Sequence, residues 1–263
     1  MKSKQMITSY SLALFYFFVS CSTQDQMENK LFENQVTNNG PQSEPYNPPN
    51  TNNTTTANYP NYISFNYLAL GDSYTIGTSV TYEESYPYQL AKKLKIALTT
   101  EVNLTTIATN GWRTDDLQRA VNLNTTLPTY DLVTLLIGVN NQFQGRPFSQ
   151  YEKEFPELLN TALKLANNNT SHVVVISIPD YAYTPFGSSQ NREIISKELD
   201  AYNAFAKEIA TQQGVTFINI TDITRRGLSE KDLVANDGLH PSGLAYKKFV
   251  ERLTPIILSQ LKD

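Results

Sequence analysis

The chain has 263 residues, 40% hydrophobic and 17% charged, with a formal net charge of -4 at pH 7. That length holds one domain of roughly 200 residues plus appendages, with ample apolar material for a core, and so mild a charge excludes the basic footprint of a nucleic-acid binder. The single cysteine, Cys21, excludes a disulfide, a cysteine nucleophile or a thiolate metal site within the domain, and two histidines, His172 and His240, argue against a zinc centre.

The first segment reads as targeting rather than fold. Lys2 and Lys4 give a positive start, residues 11–19 a short apolar stretch, and Ser20-Cys21 a small residue before the only thiol. The apolar stretch is too short to span a membrane as a stable helix. The segment looks like a bacterial lipobox, with cleavage before Cys21 and lipidation of its thiol, although Phe18 stands where leucine is usual. An ordinary secretory peptide is the alternative, and either implies export, in the first case as a membrane-anchored lipoprotein of the periplasm or cell surface. Residues 22–62, rich in Asn, Pro and Thr, cannot bury enough apolar surface to fold and read as a disordered tether. The domain is expected over 63–263.

From residue 65 apolar runs alternate with helical patterns. Strands are expected at 67–70, 102–108, 132–137, 173–178 and 215–220, most of them apolar throughout, as in a sheet covered on both faces. Helices are expected at 86–98, 115–123, 149–167 and 192–213. A last helix is capped by Ser242 and runs to about Leu261. The alternation implies an α/β fold, a three-layer α/β/α sandwich around a five-stranded parallel sheet. No phosphate-cradling or dinucleotide-binding glycine pattern is present, so no cofactor is called for.

In such a sheet ligands bind beyond the carboxyl ends of the strands. Ser73 follows the first strand, Gly111 the second and Asn140 the third, so the three converge on one edge. His240 follows the last strand, with Asp237 three residues before it. His172 precedes the fourth strand and belongs at the opposite edge. Asp72 is expected to organise the turn, Asn141 to bond to loop backbone, and Asn110, Arg113 and Asp115 to be surface residues. The aromatics of the loop at 179–187, Tyr181, Tyr183 and Phe186, should border the cleft, either lining it or packing beneath the loop.

Four blocks, Gly71-Asp72-Ser73-Tyr74, Gly111, Gly138-Val139-Asn140 and Asp237-Gly238-Leu239-His240, stand in the order and spacing of the GDSL, or SGNH, family of serine esterases and lipases. The chain resembles that family over about residues 65 to 262. Tyr74 stands where the family's name has leucine, and Asn141 where an aspartate is common. The resemblance implies strand order 2-1-3-4-5 and a flavodoxin-like sandwich. It also implies a catalytic Ser73, His240 and Asp237, and an oxyanion hole from the backbone N–H of Ser73 and Gly111 and the Asn140 amide. The expected activity is carboxylic ester hydrolysis through an acyl-enzyme, acting on a small acyl ester or an acylated glycan or lipid. Acyl transfer to a glycan hydroxyl, or a non-catalytic glycan-binding module on the same fold, are the alternatives.

Overall fold

The computed structural model describes residues 64–262; the targeting segment with Cys21 and the tether lie outside the described residues. Five strands, β1 (Phe65–Gly71), β2 (Val102–Ala108), β3 (Leu132–Leu136), β4 (Val173–Ile176) and β5 (Thr216–Ile218), form one parallel sheet in the order β2-β1-β3-β4-β5. β3 and β4 are buried throughout and β1 everywhere except Asn66, which accounts for their apolar runs; edge strand β2 is largely half-exposed and keeps polar positions such as Asn103 and Thr105.

Among the described residues, eight α-helical segments accompany the sheet: α1 (Ser73–Ile76), α2 (Tyr86–Leu98), α3 (Thr114–Leu123), α4 (Val139–Phe143), α5 (Phe148–Leu165), α6 (Arg192–Gln212), α7 (Thr221–Thr224) and α8 (Gly243–Gln260). In α2, Tyr86, Leu90, Ala91 and Leu94 recur at helical spacing and are buried, with Pro87 in the first turn, where its missing N–H costs nothing. In α8, Ser242 accepts from Ala245 N at 3.3 Å and caps the helix as expected, while Tyr246, Phe249, Val250, Leu253 and Ile257 face the core. Burying each such large side chain contributes about 1.5–3 kcal/mol. The helices α2 and α8 pack together, α2 also against β2, while α5 packs against β3, α3 and α6. The fold is therefore the expected α/β sandwich.

Two strands end earlier than their apolar runs. The ladder between β4 and β5 stops at Ile176 and Ile218 because side chains take over: Ser177 Oγ accepts from Ile220 N at 2.8 Å, and Asn203 bonds both backbone groups of Ile178. The short helices α1, α4 and α7 follow strand ends directly and have too few residues for a periodic signal. Register matters most for the site. Gly71 lies opposite both Ala108 and Leu136, so the chain leaves β1, β2 and β3 at one level.

Candidate active site

The turn after β1 is built on a glycine and a buried carboxylate. A Cβ on Gly71 would overlap Thr75 Oγ1 and the Leu136 carbonyl oxygen, so only glycine fits. Asp72 caps α1: its Oδ1 accepts from Tyr74 N at 3.0 Å, and its carbonyl accepts from Thr75 N and Ile76 N, each at 3.0 Å. The result is a buried Ser73 at the first helical position, 5% exposed. Burial pushes the Asp72 carboxyl up to about 7, against the opposing pull of the Tyr74 N–H bond.

The loops after β2 and β3 meet this turn. Gly111 has φ +76, and a Cβ there would meet nothing within 4 Å. The backbone conformation, not space, is what calls for glycine. Its carbonyl accepts from Gln144 Nε2 at 2.8 Å, and Gln144 Oε1 accepts from Arg113 Nη1 at 2.7 Å. Arg113 in turn holds Asp115 through two bonds of 2.9 Å. Arg113 and Asp115 are partly exposed surface residues, as expected, and Arg113 also braces the Gly111 loop through Gln144. Asn110 accepts from Thr78 Oγ1 and borders the cavity described below. Asn140 Nδ2 donates to the Trp112 carbonyl at 3.0 Å and lies 3.5 Å from Asp72 Oδ2. Asn141 pins the start of α3, accepting from Thr114 N at 3.1 Å and donating to Thr114 Oγ1 at 2.7 Å.

The loop preceding α8 is closed by an antiparallel bridge between Val234 and Pro241 and by Ala235 N donating to the His240 carbonyl at 2.8 Å. Inside it, Asp237 Oδ1 accepts from Leu239 N at 2.9 Å and His240 N at 3.0 Å. Its Oδ2 faces His240 Nδ1 at 2.6 Å and accepts from Ser79 Oγ at 2.6 Å. Partial burial raises the Asp237 pKa, but these four donors outweigh it and hold the group at about 2. An ionised carboxylate only accepts, so Nδ1 carries a hydrogen, and in the neutral ring Nε2 is then the acceptor. The imidazole leans on Tyr74, ring centroids 5.0 Å apart.

Ser73, Gly111, Asn140 and His240 line one cavity of about 220 Å³, with Val139, Phe143, Tyr181 and Leu239 as its apolar wall. Of the loop's three aromatics, only Tyr181 lines the cavity. It donates to Gln142 Oε1 at 2.9 Å, with Phe143 edge-on at 5.5 Å. Phe186 packs on Phe143 at 6.0 Å and is exposed, whereas the Tyr183 ring has the Arg192 and Arg225 guanidinium groups 5.1 and 6.0 Å from its centroid. His172 ends a short turn immediately before β4, at the amino edge, where burial lowers its pKa. Among the described residues, no three His, Cys, Asp or Glu side chains are grouped to hold a metal ion.

Sequence reasoning missed Ser79, Gln144 and Phe143. Ser79 lies 158 residues from Asp237, and no local pattern signals such a contact.

A layered α/β fold with a parallel sheet carries a buried serine and a carboxylate-bound imidazole on the same cavity. Residues 69–248 match the GDSL-like Lipase/Acylhydrolase family, and the chain belongs to it. It is an enzyme of the carboxylic ester hydrolase class. The fold is shared with TesA at 14% identity and TM-score 0.60, over 74% of this chain and 99% of that one. It is shared with Axe2, an acetylxylan esterase from Geobacillus stearothermophilus, at 16% identity and TM-score 0.56, over 76% and 95%. The lipase/acylhydrolase from Enterococcus faecalis aligns at 20% identity and TM-score 0.52, over 75% and 95%. At these identities the likeness is one of fold. Among curated proteins no sequence matches the chain.

Proposed function

We propose that the protein is an exported serine esterase that cleaves short-chain acyl esters through an acyl-enzyme on Ser73. The observation that carries this reading is the shared cavity, which Ser73 and the Asp237-bound imidazole line together with Gly111 and Asn140. In the first step Ser73 Oγ bonds to the acyl carbon and its proton passes to His240 Nε2. Asp237, fully ionised at neutral pH, holds the ring and stabilises the imidazolium. The carbonyl oxygen becomes an oxyanion facing the backbone N–H groups of Ser73 and Gly111 and the Asn140 amide. Trp112 anchors that amide through one bond of 3.0 Å; the 3.5 Å contact with Asp72 is long, and the oxyanion takes its place. The imidazolium then protonates the leaving alcohol. Water, deprotonated by the same nitrogen, releases the acid and restores Ser73.

The cavity argues for a short acyl group. Its volume of about 220 Å³ is below the roughly 300–1,000 Å³ of sites for drug-sized ligands. Phe143 and Tyr181 close its apolar wall, while exposed Phe186 lies outside, where an alcohol portion such as a sugar would emerge. Purified residues 60–263 should release nitrophenol from acetyl and butyryl esters faster than from long-chain ones. Ser73→Ala should abolish that release; persistent turnover would remove Ser73 from the mechanism.

Export and anchoring rest on the sequence of residues 1–62. Lipidation of Cys21 would hold the domain at a membrane through the tether, and Cys21→Ser should move the protein from the membrane to the soluble fraction. Unchanged membrane association would refute anchoring through that thiol.

A further inference from the structure

The loop between α1 and α2 bonds to three separate parts of the site. Thr78 N donates to the Ser73 carbonyl at 3.0 Å, and Thr78 Oγ1 donates to Asn110 in the loop after β2. The next residue, Ser79, donates its hydroxyl to Asp237 Oδ2 at 2.6 Å. Ser79 holds φ +69, a left-handed conformation that serine seldom adopts, and Val80 N closes the turn on the Gly77 carbonyl at 3.2 Å. An uncommon backbone state at a functional loop signals that something else over-determines it.

We propose that Ser79 is a positioning residue of this esterase, whose hydroxyl fixes the Asp237 carboxylate so that Oδ2 receives the His240 Nδ1–H in line. The inference rests on the reading that Asp237 and His240 act together on Ser73. Three of the four donors to Asp237 come from its own loop: Leu239 N, His240 N and His240 Nδ1. Among the described residues, Ser79 is the donor that reaches the carboxylate from elsewhere in the chain. The loop itself is tied to the rest of the site by Phe186 N on the Gly238 carbonyl at 2.9 Å and by His240 against Tyr74, but neither contact touches the carboxylate, which without Ser79 is oriented by its own loop alone. With it, the segment that continues from the serine's helix sets the carboxylate's orientation. Ser79 also contributes to holding Asp237 in its ionised form, alongside the His240 bond.

The test separates hydroxyl from backbone. Ser79→Gly removes the donor while accommodating φ +69 without strain. Ser79→Asn tolerates the same conformation and returns an N–H donor. Steady-state kinetics on nitrophenyl butyrate would be read together with the low-field proton NMR signal of His240 Nδ1–H. For Ser79→Gly we expect kcat to fall roughly 10-fold with KM within about twofold, the effect of one hydrogen bond to a charged group, and the low-field signal to shift or broaden. Ser79→Asn should recover part of both. A Ser79→Gly enzyme with wild-type kcat and an unchanged signal overturns the inference, as does a rise in KM alone. Asp237→Asn measured in parallel separates the two layers. If it leaves activity intact, the proposed catalytic unit fails; if it abolishes activity while Ser79→Gly is neutral, only the role of Ser79 fails.

Discussion

Two carboxylates serve the same site, and their surroundings treat them oppositely. Asp72, in the turn after β1, is fully buried, has one short backbone donor, and is pushed up to about 7. Asp237, in the loop before α8, is partly exposed, has four donors, and is held at about 2. Burial decides the first and hydrogen bonding the second. The comparison teaches which group serves structure and which serves charge. Asp72 shapes the helix start that presents Ser73 and lies beside the Asn140 amide; Asp237 keeps a fixed negative charge against the histidine.

The largest effect should come from removing that charge. In Asp237→Asn an amide replaces the carboxylate, can no longer stabilise an imidazolium, and can fix the wrong tautomer. We expect kcat to fall roughly 10⁴-fold with little change in the melting temperature. A loss of less than tenfold, measured by steady-state kinetics, would make Asp237 a turn residue like Asp72.

Next in size is the amide that lies between the two halves of the site. Asn140→Ala removes the donor that bonds the Trp112 carbonyl and approaches Asp72. We expect kcat to drop about 10²–10³-fold, the usual cost of one oxyanion donor. An unchanged kcat with a raised KM would assign Asn140 to substrate binding instead.

A further effect concerns stability rather than rate. Asp72 ionises near 7 in the folded chain against about 3.9 in an unfolded one. Its contribution is therefore fully present below about pH 4, declines as pH rises toward 7, and is level above. Asp237 acts in the other direction: its contribution is present above about pH 4 and is lost as pH falls toward 2. Thermal melts should show a decline from pH 4.5 to 7.5 that Asp72→Asn flattens. An equal slope in both proteins would mean that Asp72 is already ionised in the fold at pH 4.5.

Much of this was legible in the sequence, for identifiable reasons. The runs that became β1, β3 and β4 are buried on both faces, and such strands announce themselves as continuous apolar stretches. Strand ends then placed Ser73, Gly111 and Asn140 on one edge, and the cavity brings them together with His240. The end of β5 was not legible, because Ser177 and Asn203 close that region through contacts distant in sequence. The braces were hidden for the same reason. Gln144 reaches Gly111 across 33 residues and Arg113 across 31, and Ser79 reaches Asp237 across 158. Nor does composition reveal that Asp72 is fully buried while Asp237 is not; that follows only from how the loops close over the sheet.

The central claim, that the serine at the start of α1 is made nucleophilic by the imidazole from the loop before α8, is tested most directly by covalent capture. A nitrophenyl alkylphosphonate should attach once per chain, with release of nitrophenolate, and peptide mass analysis should find the adduct on Ser73. His240→Ala should remain essentially unlabelled over the same interval. Labelling at another residue that abolishes activity, or full activity in a protein whose Ser73 is fully labelled, would contradict the account.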